Sequence, residues 1–329
     1  MNIKRTLEKV GVLLLVTFVM FSCEPEVDKF TAFGSEQLDV NELIEELIEE
    51  PQTYTILNDM EEKIVTEGGA IVTFPADIFQ MIGGMGTSGE IEIRVLELYE
   101  GGEIFLNNVP TVSDGRLLES DAVLNIKAFQ NGVELELIPG KQIQIMVPND
   151  SPQERMELFY GDESDPDRFN WIQADGDRLD MNNWDNVNIS EWEAQDSLGQ
   201  GLGFGYECFS DNLDWINIDI FKETPPDQKT SVCVELSERY GNVNTIVGMI
   251  FKDINSVVFF QGNLDTMQFC EPYGLSPLGF DVTLVVISTQ AEGLYHFASE
   301  DVTITENMVV TMLPEETSKE EIKIVMDGL

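Results

Sequence analysis

The sequence predicts a mainly β protein: two β-sandwich-like domains joined by an irregular acidic connector, with short helices toward the ends. Three observations predict it. Short apolar runs recur along most of the chain, separated by turn residues. The stretch Glu90-Ile91-Glu92-Ile93-Arg94-Val95 alternates charged and apolar residues, the period of a strand with one face buried. Asn131-Gly132 stands between two strand-like runs, as in a two-residue hairpin. With 43% hydrophobic and 24% charged residues in 329, the composition is that of a folded chain, long enough for two domains.

The first element is a targeting segment. Lys4, Arg5 and Lys9 precede an apolar core from Val10 to Phe21, and Ser22-Cys23 follows. A basic region, a short apolar core and a small residue before the cut describe a secretory signal. The core is shorter than the about 20 residues that span a bilayer. The cysteine directly after the small residue resembles the bacterial lipobox. That resemblance implies a signal peptide over residues 1–22 and a lipid on Cys23, the first residue of the mature chain. An ordinary signal peptide and an uncleaved anchor are the alternatives. Glu24-Pro25-Glu26-Val27-Asp28 resembles the surface-export signal of Bacteroidetes lipoproteins, which implies the outer membrane and its external face. A plain solvated tether is the alternative.

Residues 23–51 form this acidic tether. Near its end Leu38, Leu43, Ile44, Leu47 and Ile48 recur mostly at helical spacing among glutamates, which predicts a short amphipathic helix ending before Pro51. Residues 52–149 read as the first sandwich, with strands at 71–74, 90–95, 123–129, 133–137 and 142–147, and a turn at Pro139-Gly140.

Residues 150–205 read as the connector. Strands are expected at 155–160 and 169–173, loop beyond them, and a helix near Ser190–Gln195. Gly199, Gly201, Gly203 and Gly205 fall at every second position. That spacing is not a phosphate-binding loop, and a hinge or bulged strand is the better reading. Residues 206–329 read as the second β domain. Its expected strands lie at 215–221, 231–236, 245–251, 257–260, 280–289 and 294–298, with a closing hairpin of 302–305 and 308–312 and a terminal helix within 315–326.

Glu67-Gly68-Gly69-Ala70-Ile71-Val72-Thr73-Phe74-Pro75, then Phe79 and Ser88-Gly89-Glu90-Ile91-Glu92-Ile93, resembles the opening of ZU5-like β-sandwich modules. Thr111–Gly115, Leu117–Ser120 and Ile126–Ala128 resemble bacterial surface-protein versions of that module. Leu213–Asp219 is similar to a segment found after it in Bacteroidetes lipoproteins. The resemblance implies sandwich architecture and a surface location, and it brings no catalytic residues.

Charge narrows the function. The chain carries 18 basic and 61 acidic residues, a net charge of −43. Such a surface repels nucleic-acid phosphates, so nucleic-acid binding is excluded. The acid either solvates the surface or collects divalent cations. Asp162, Asp165, Asp167, Asp175 and Asp177 form the densest set of oxygen ligands, a candidate calcium site without EF-hand spacing. Trp171, Trp184 and Trp192 lie close together in Asn-rich sequence, a candidate sugar-stacking platform or else core anchors. The single histidine, His296, rules out the HExxH class, and no GxSxG elbow accompanies it. Cys208, Cys233 and Cys270 remain after Cys23. At most one disulfide can form among them, its partners open, and three buried thiols are the alternative.

The expectation is a non-enzymatic, lipid-anchored protein of the bacterial outer membrane, at the cell surface, with a structural or adhesive role. Its partners would be the membrane through Cys23 and a glycan or another envelope protein. Beyond calcium no cofactor is expected. A glycan-binding lipoprotein of a polysaccharide uptake system is the alternative, and a hydrolase with paired carboxylates follows.

Overall fold

The computed structural model describes residues 38–165, 168–174, 188–196, 199–263 and 265–329. It is mainly β, and short helices lie near both ends of the described residues.

Two sheets enclose the first core. The larger runs in the order Arg168–Gln173, Glu157–Asp165, Asp214–Phe221, Arg116–Gln130, Val133–Leu137, Phe79–Met81, Met85–Gly86, with Glu90–Leu98 and Gln52–Leu57 branching from the long central strand. The smaller runs Asn188–Asp196, Gly199–Ser210, Ile143–Pro148, Ile71–Phe74, Glu62–Val65. The alternation at Glu90–Leu98 works as the sequence predicts: Ile91, Ile93 and Val95 are buried against Val72, Phe74, Ile145 and Val147 from the other sheet. Asn131 and Gly132 both adopt positive φ, 52° and 78°, as a two-residue turn with the twist of its flanking strands demands.

A second pair of sheets follows. Ser256–Phe259, Thr245–Phe251, Asp281–Ala291, Leu294–Thr303 and Glu315–Thr317 make one, and Gln261–Asn263, Gln268–Cys270, Val232–Glu235 and Met308–Thr311 make the other. Val247, Met249, Val282, Leu284 and Val286 share a core with Val232, Val234, Phe269 and Met312.

A third core lies along the seam between these two β assemblies. Leu98, Val123, Phe159 and Trp171 meet Ile250, Val257, Val285 and Ile287 there. Three helices close the seam: α1 (Val40–Leu47), α2 (Gly101–Leu106) and α3 (Lys319–Met326). The apolar spacing of α1 buries Val40, Leu43, Ile44 and Leu47, and the Asp39 carboxylate caps it by accepting from the Asn41 N–H at 3.0 Å. α3 begins in a reciprocal Ser318/Glu321 capping box.

Four expectations differ from the structure at the level of elements. The predicted helix near Ser190–Gln195 is the strand Asn188–Asp196, held in a continuous antiparallel ladder to Gly199–Ser210. Cross-strand pairing outweighs local propensity there. Much of the described part of 150–205 is strand rather than loop, because Glu157–Asp165 and Gly199–Ser210 find partners in both sheets of the first assembly. Asp214–Phe221 pairs with Glu157–Asp165 and Arg116–Gln130 rather than with the strands that follow it. The expected hairpin of 302–305 and 308–312 does not form: Met308–Thr311 runs parallel to Val232–Glu235, after a turn at Asn307 with φ 49°.

Candidate functional site

The residues singled out in the sequence fall in different places. Cys23, Asp167, Asp175, Asp177 and Trp184 lie outside the described residues, as does the side chain of Trp192. Trp171 is fully buried, packs edge-on to Phe169 at 5.0 Å and donates its indole N–H to the Pro110 carbonyl at 2.8 Å. It is a seam anchor and offers no face to a sugar, because burying so large an apolar ring with its N–H satisfied is what stabilises this junction. The Ser164 side chain, and then the Ser164 N–H that Asp162 accepts at 2.9 Å, hold the Asp162 carboxyl below the usual range. Among the described residues no three acidic, histidine or cysteine side chains converge as metal ligands.

His296 is buried on the strand Leu294–Thr303, with the Tyr240 hydroxyl 2.9 Å from its Nδ1. Burial and the charge of Arg239 lower its pKa, so the ring is a neutral member of a packed hydrogen-bond pair. Cys233 and Cys270 face each other across antiparallel strands and are joined in a disulfide. Cys208 remains a thiol, its pKa raised to about 12 by burial and by Glu207.

The residues that do converge were not singled out. They centre on Glu119-Ser120-Asp121 in the long strand of the larger sheet. Ser120 opposes Asp219 and Ala122 opposes Ile218, so Asp121 is the extra residue of a β-bulge. A bulge bends the strand and re-aims the side chain it carries. The Asp121 carboxylate accepts from the Tyr206 phenol and from Asn149 Nδ2 at 3.3 Å. The Tyr206 oxygen in turn accepts the Gln153 N–H at 2.6 Å. Burial raises the pKa of Asp121 against the Tyr206 bond, and the charge of Glu119 raises it further.

Behind it sits a wholly buried polar set. Ser120 Oγ donates to Asn217 Oδ1 at 3.0 Å, and Asn217 Nδ2 donates to Asp219 Oδ2 at 2.6 Å. Asp219 Oδ1 has no hydrogen-bond partner among the described residues. Burial raises the Asp219 pKa well above that of a free carboxylate, since an ion there would lose its hydration.

Ser120 and Asp121 border a cleft of about 480 Å³ at the seam. Tyr99, Glu100 and Asn149 line it from the first assembly, and Ile250, Lys252, Asn255 and Thr283 from the second. Hydrogen bonds across the seam fix the walls. The Ser120 N–H donates to the Ile254 carbonyl at 3.0 Å, Asn255 Nδ2 to the Tyr99 carbonyl at 2.7 Å, and the Val257 N–H to Thr111 Oγ1 at 2.7 Å. A cleft bordered by a carboxyl group whose pKa burial raises, here Asp121, is an arrangement that binding and catalytic sites share.

One signal for this site was present in the sequence. In Trp215-Ile216-Asn217-Ile218-Asp219-Ile220-Phe221 the isoleucines take one face. The other carries Asn217 and Asp219 between two aromatic residues, a polar pair on a face that aromatic neighbours mark as buried. Compared with known protein families and with curated proteins, the chain matches none.

Proposed function

We propose that this chain is an exported, lipid-anchored protein of the bacterial cell envelope, built on a ZU5-like sandwich, with a non-enzymatic structural or adhesive role at the outer surface. The observation that carries the reading is the N-terminal run: Lys4, Arg5 and Lys9, the apolar core and then Ser22-Cys23. The Cys233–Cys270 disulfide supports export, because such bonds persist in oxidising compartments.

The fold supplies a mechanical argument. The acidic tether behind Cys23 leads into α1, and α1 buries its apolar face in the seam beside Leu98, Phe105 and Ile287. Lys319 and Lys323 of α3 pair with Glu46 and with Glu49, the latter at 3.6 Å. A pull on an anchor at Cys23 would therefore bear on both β assemblies rather than peel one strand from an edge. The hairpin turn between Phe79–Met81 and Met85–Gly86 offers apolar contact surface, with Ile82 71% and Met85 67% exposed.

The test is fractionation and protease shaving of intact cells carrying the wild-type chain or Cys23→Ser. The wild type is expected in the outer membrane and open to protease on intact cells, and the variant is expected to be released or to remain unprocessed. Equal membrane association of the two forms overturns the anchor, and protection of the wild type until the outer membrane is breached overturns the surface location.

A further inference from the structure

We propose that the seam cleft beside Asp121 is a binding site for a small organic cation bearing a primary ammonium or guanidinium group. The inference stands on the cleft alone and does not need the anchor.

Charge is the first argument. Asp121 and Glu100 both line the cleft and carry its negative charge, while Glu119, beside Asp121 on the same strand, is paired with Lys222 at 3.0 Å. The one cation on the wall, Lys252, is already engaged by Asp301 at 2.6 Å. Within a chain of net charge −43, a recess with low-dielectric walls concentrates field of one sign and draws in the opposite charge.

Hydrogen-bond capacity is the second argument. The wall amides each have an N–H engaged, Asn149 Nδ2 to Asp121 and Asn255 Nδ2 to the Tyr99 carbonyl, and Thr283 Oγ1 donates to Asp301 at 2.7 Å. Against these the walls present as acceptors the Asp121 and Glu100 carboxylates and the Asn255 Oδ1. A ligand rich in N–H donors matches that inventory, and charge-assisted bonds to carboxylate are the strong ones. A metal ion would need carboxylates converging on one point, and the described residues hold no such group. Ile250 on the same wall accommodates an alkyl stem.

The bulge is the third argument. It places Asp121 out of register with both neighbours on its strand, against Tyr206 of the opposite sheet and Asn149 just past the end of Ile143–Pro148. Devices of this kind hold a side chain at one position rather than stabilise a sheet.

Isothermal titration of agmatine into the full chain in uncharged detergent, at neutral pH and 0.15 M salt, tests it. Saturable binding is expected, weakened by about tenfold or more in Asp121→Asn, as loss of a bond between charged groups implies. Lys252→Gln removes the opposing cation and is expected to tighten binding, which keeps the test decisive if the first variant does not fold. Absence of saturable binding overturns the proposal. Binding that neither substitution alters also overturns it, since that is ion condensation on an acidic surface. Binding of maltose in place of agmatine overturns it in favour of a glycan site, and displacement of agmatine by stoichiometric calcium overturns it in favour of a metal.

Discussion

Asp219 shows what a single residue costs this fold. Its side chain is wholly buried, and one carboxylate oxygen lacks a hydrogen-bond partner among the described residues. Burial favours the protonated form of a carboxyl so placed and raises its folded-state pKa well above its value in the unfolded chain. The sign of the linkage follows. The folded protein binds the proton more tightly, so the group's contribution is fully present below the unfolded pKa and is lost as pH rises through the folded one. At neutral pH the wild type therefore carries a penalty that an uncharged isostere avoids. Asp219→Asn is expected to stabilise the fold at neutral pH by on the order of 1–3 kcal/mol and to reduce the loss of stability on going from pH 5 to pH 7. Urea unfolding of both proteins at the two pH values measures it. A destabilised variant at neutral pH would mean that ionised Asp219 is held by a partner the present geometry lacks.

Among elements, the contact between α2 and α3 is set by the absence of side chains. A Cβ on Gly102 would fall on the Met326 carbonyl, with the carbonyl carbon 2.8 Å away. The Gly102 N–H donates to the Leu329 carbonyl at 3.3 Å, so the helix backbones meet directly. Gly102→Ala is expected to cost about 1–3 kcal/mol, the range for overpacking a tight contact, with the far-UV spectrum unchanged. Unaltered unfolding in guanidinium would show that α3 can shift without loss. This pairing was not legible in the sequence, because Gly101-Gly102 reads locally as a turn. Other elements were legible where an unbroken apolar run marks a strand buried on both faces. Ile71–Phe74 and Thr245–Phe251 lie where their apolar runs put them. The failures have two causes. Asn188–Asp196 is drawn into a ladder by the strand that follows it, Gly199–Ser210. Met308–Thr311 and the far face of Asp214–Phe221 instead owe their state to partners distant in the chain, and a local pattern carries no information about those. The candidate site was hidden for the same reason: Asp121 and Asp219 lie far apart in sequence, and a register shift brings their strands together.

Over the whole molecule the opposing terms are cohesion and charge. Among the described residues three apolar cores and one disulfide supply cohesion. The disulfide closes 37 residues, which contributes about 4 kcal/mol by loop entropy. Against this stand 61 acidic residues and only 18 basic ones. Like charges confined to one compact body repel, and unfolding relieves the repulsion by spreading them. Salt acts on both attractive and repulsive pairs. The ion pairs that join α1 to α3, Lys319–Glu46 and Lys323–Glu49, are at least partly exposed, and each such pair contributes at most about 1 kcal/mol. Their screening is a small loss. Repulsion is summed over every unpaired carboxylate, and it fades as the screening length falls from about 8 Å at 0.15 M salt to about 3 Å at 1 M. The net effect of sodium chloride is therefore stabilising. The thermal midpoint is expected to rise between 0.05 and 1 M salt, a range over which the Debye length falls more than about threefold. Differential scanning calorimetry at several salt concentrations measures it. A midpoint that falls with salt would place the α1–α3 ion pairs, and with them the clasp over the seam, above repulsion in the balance that sets stability.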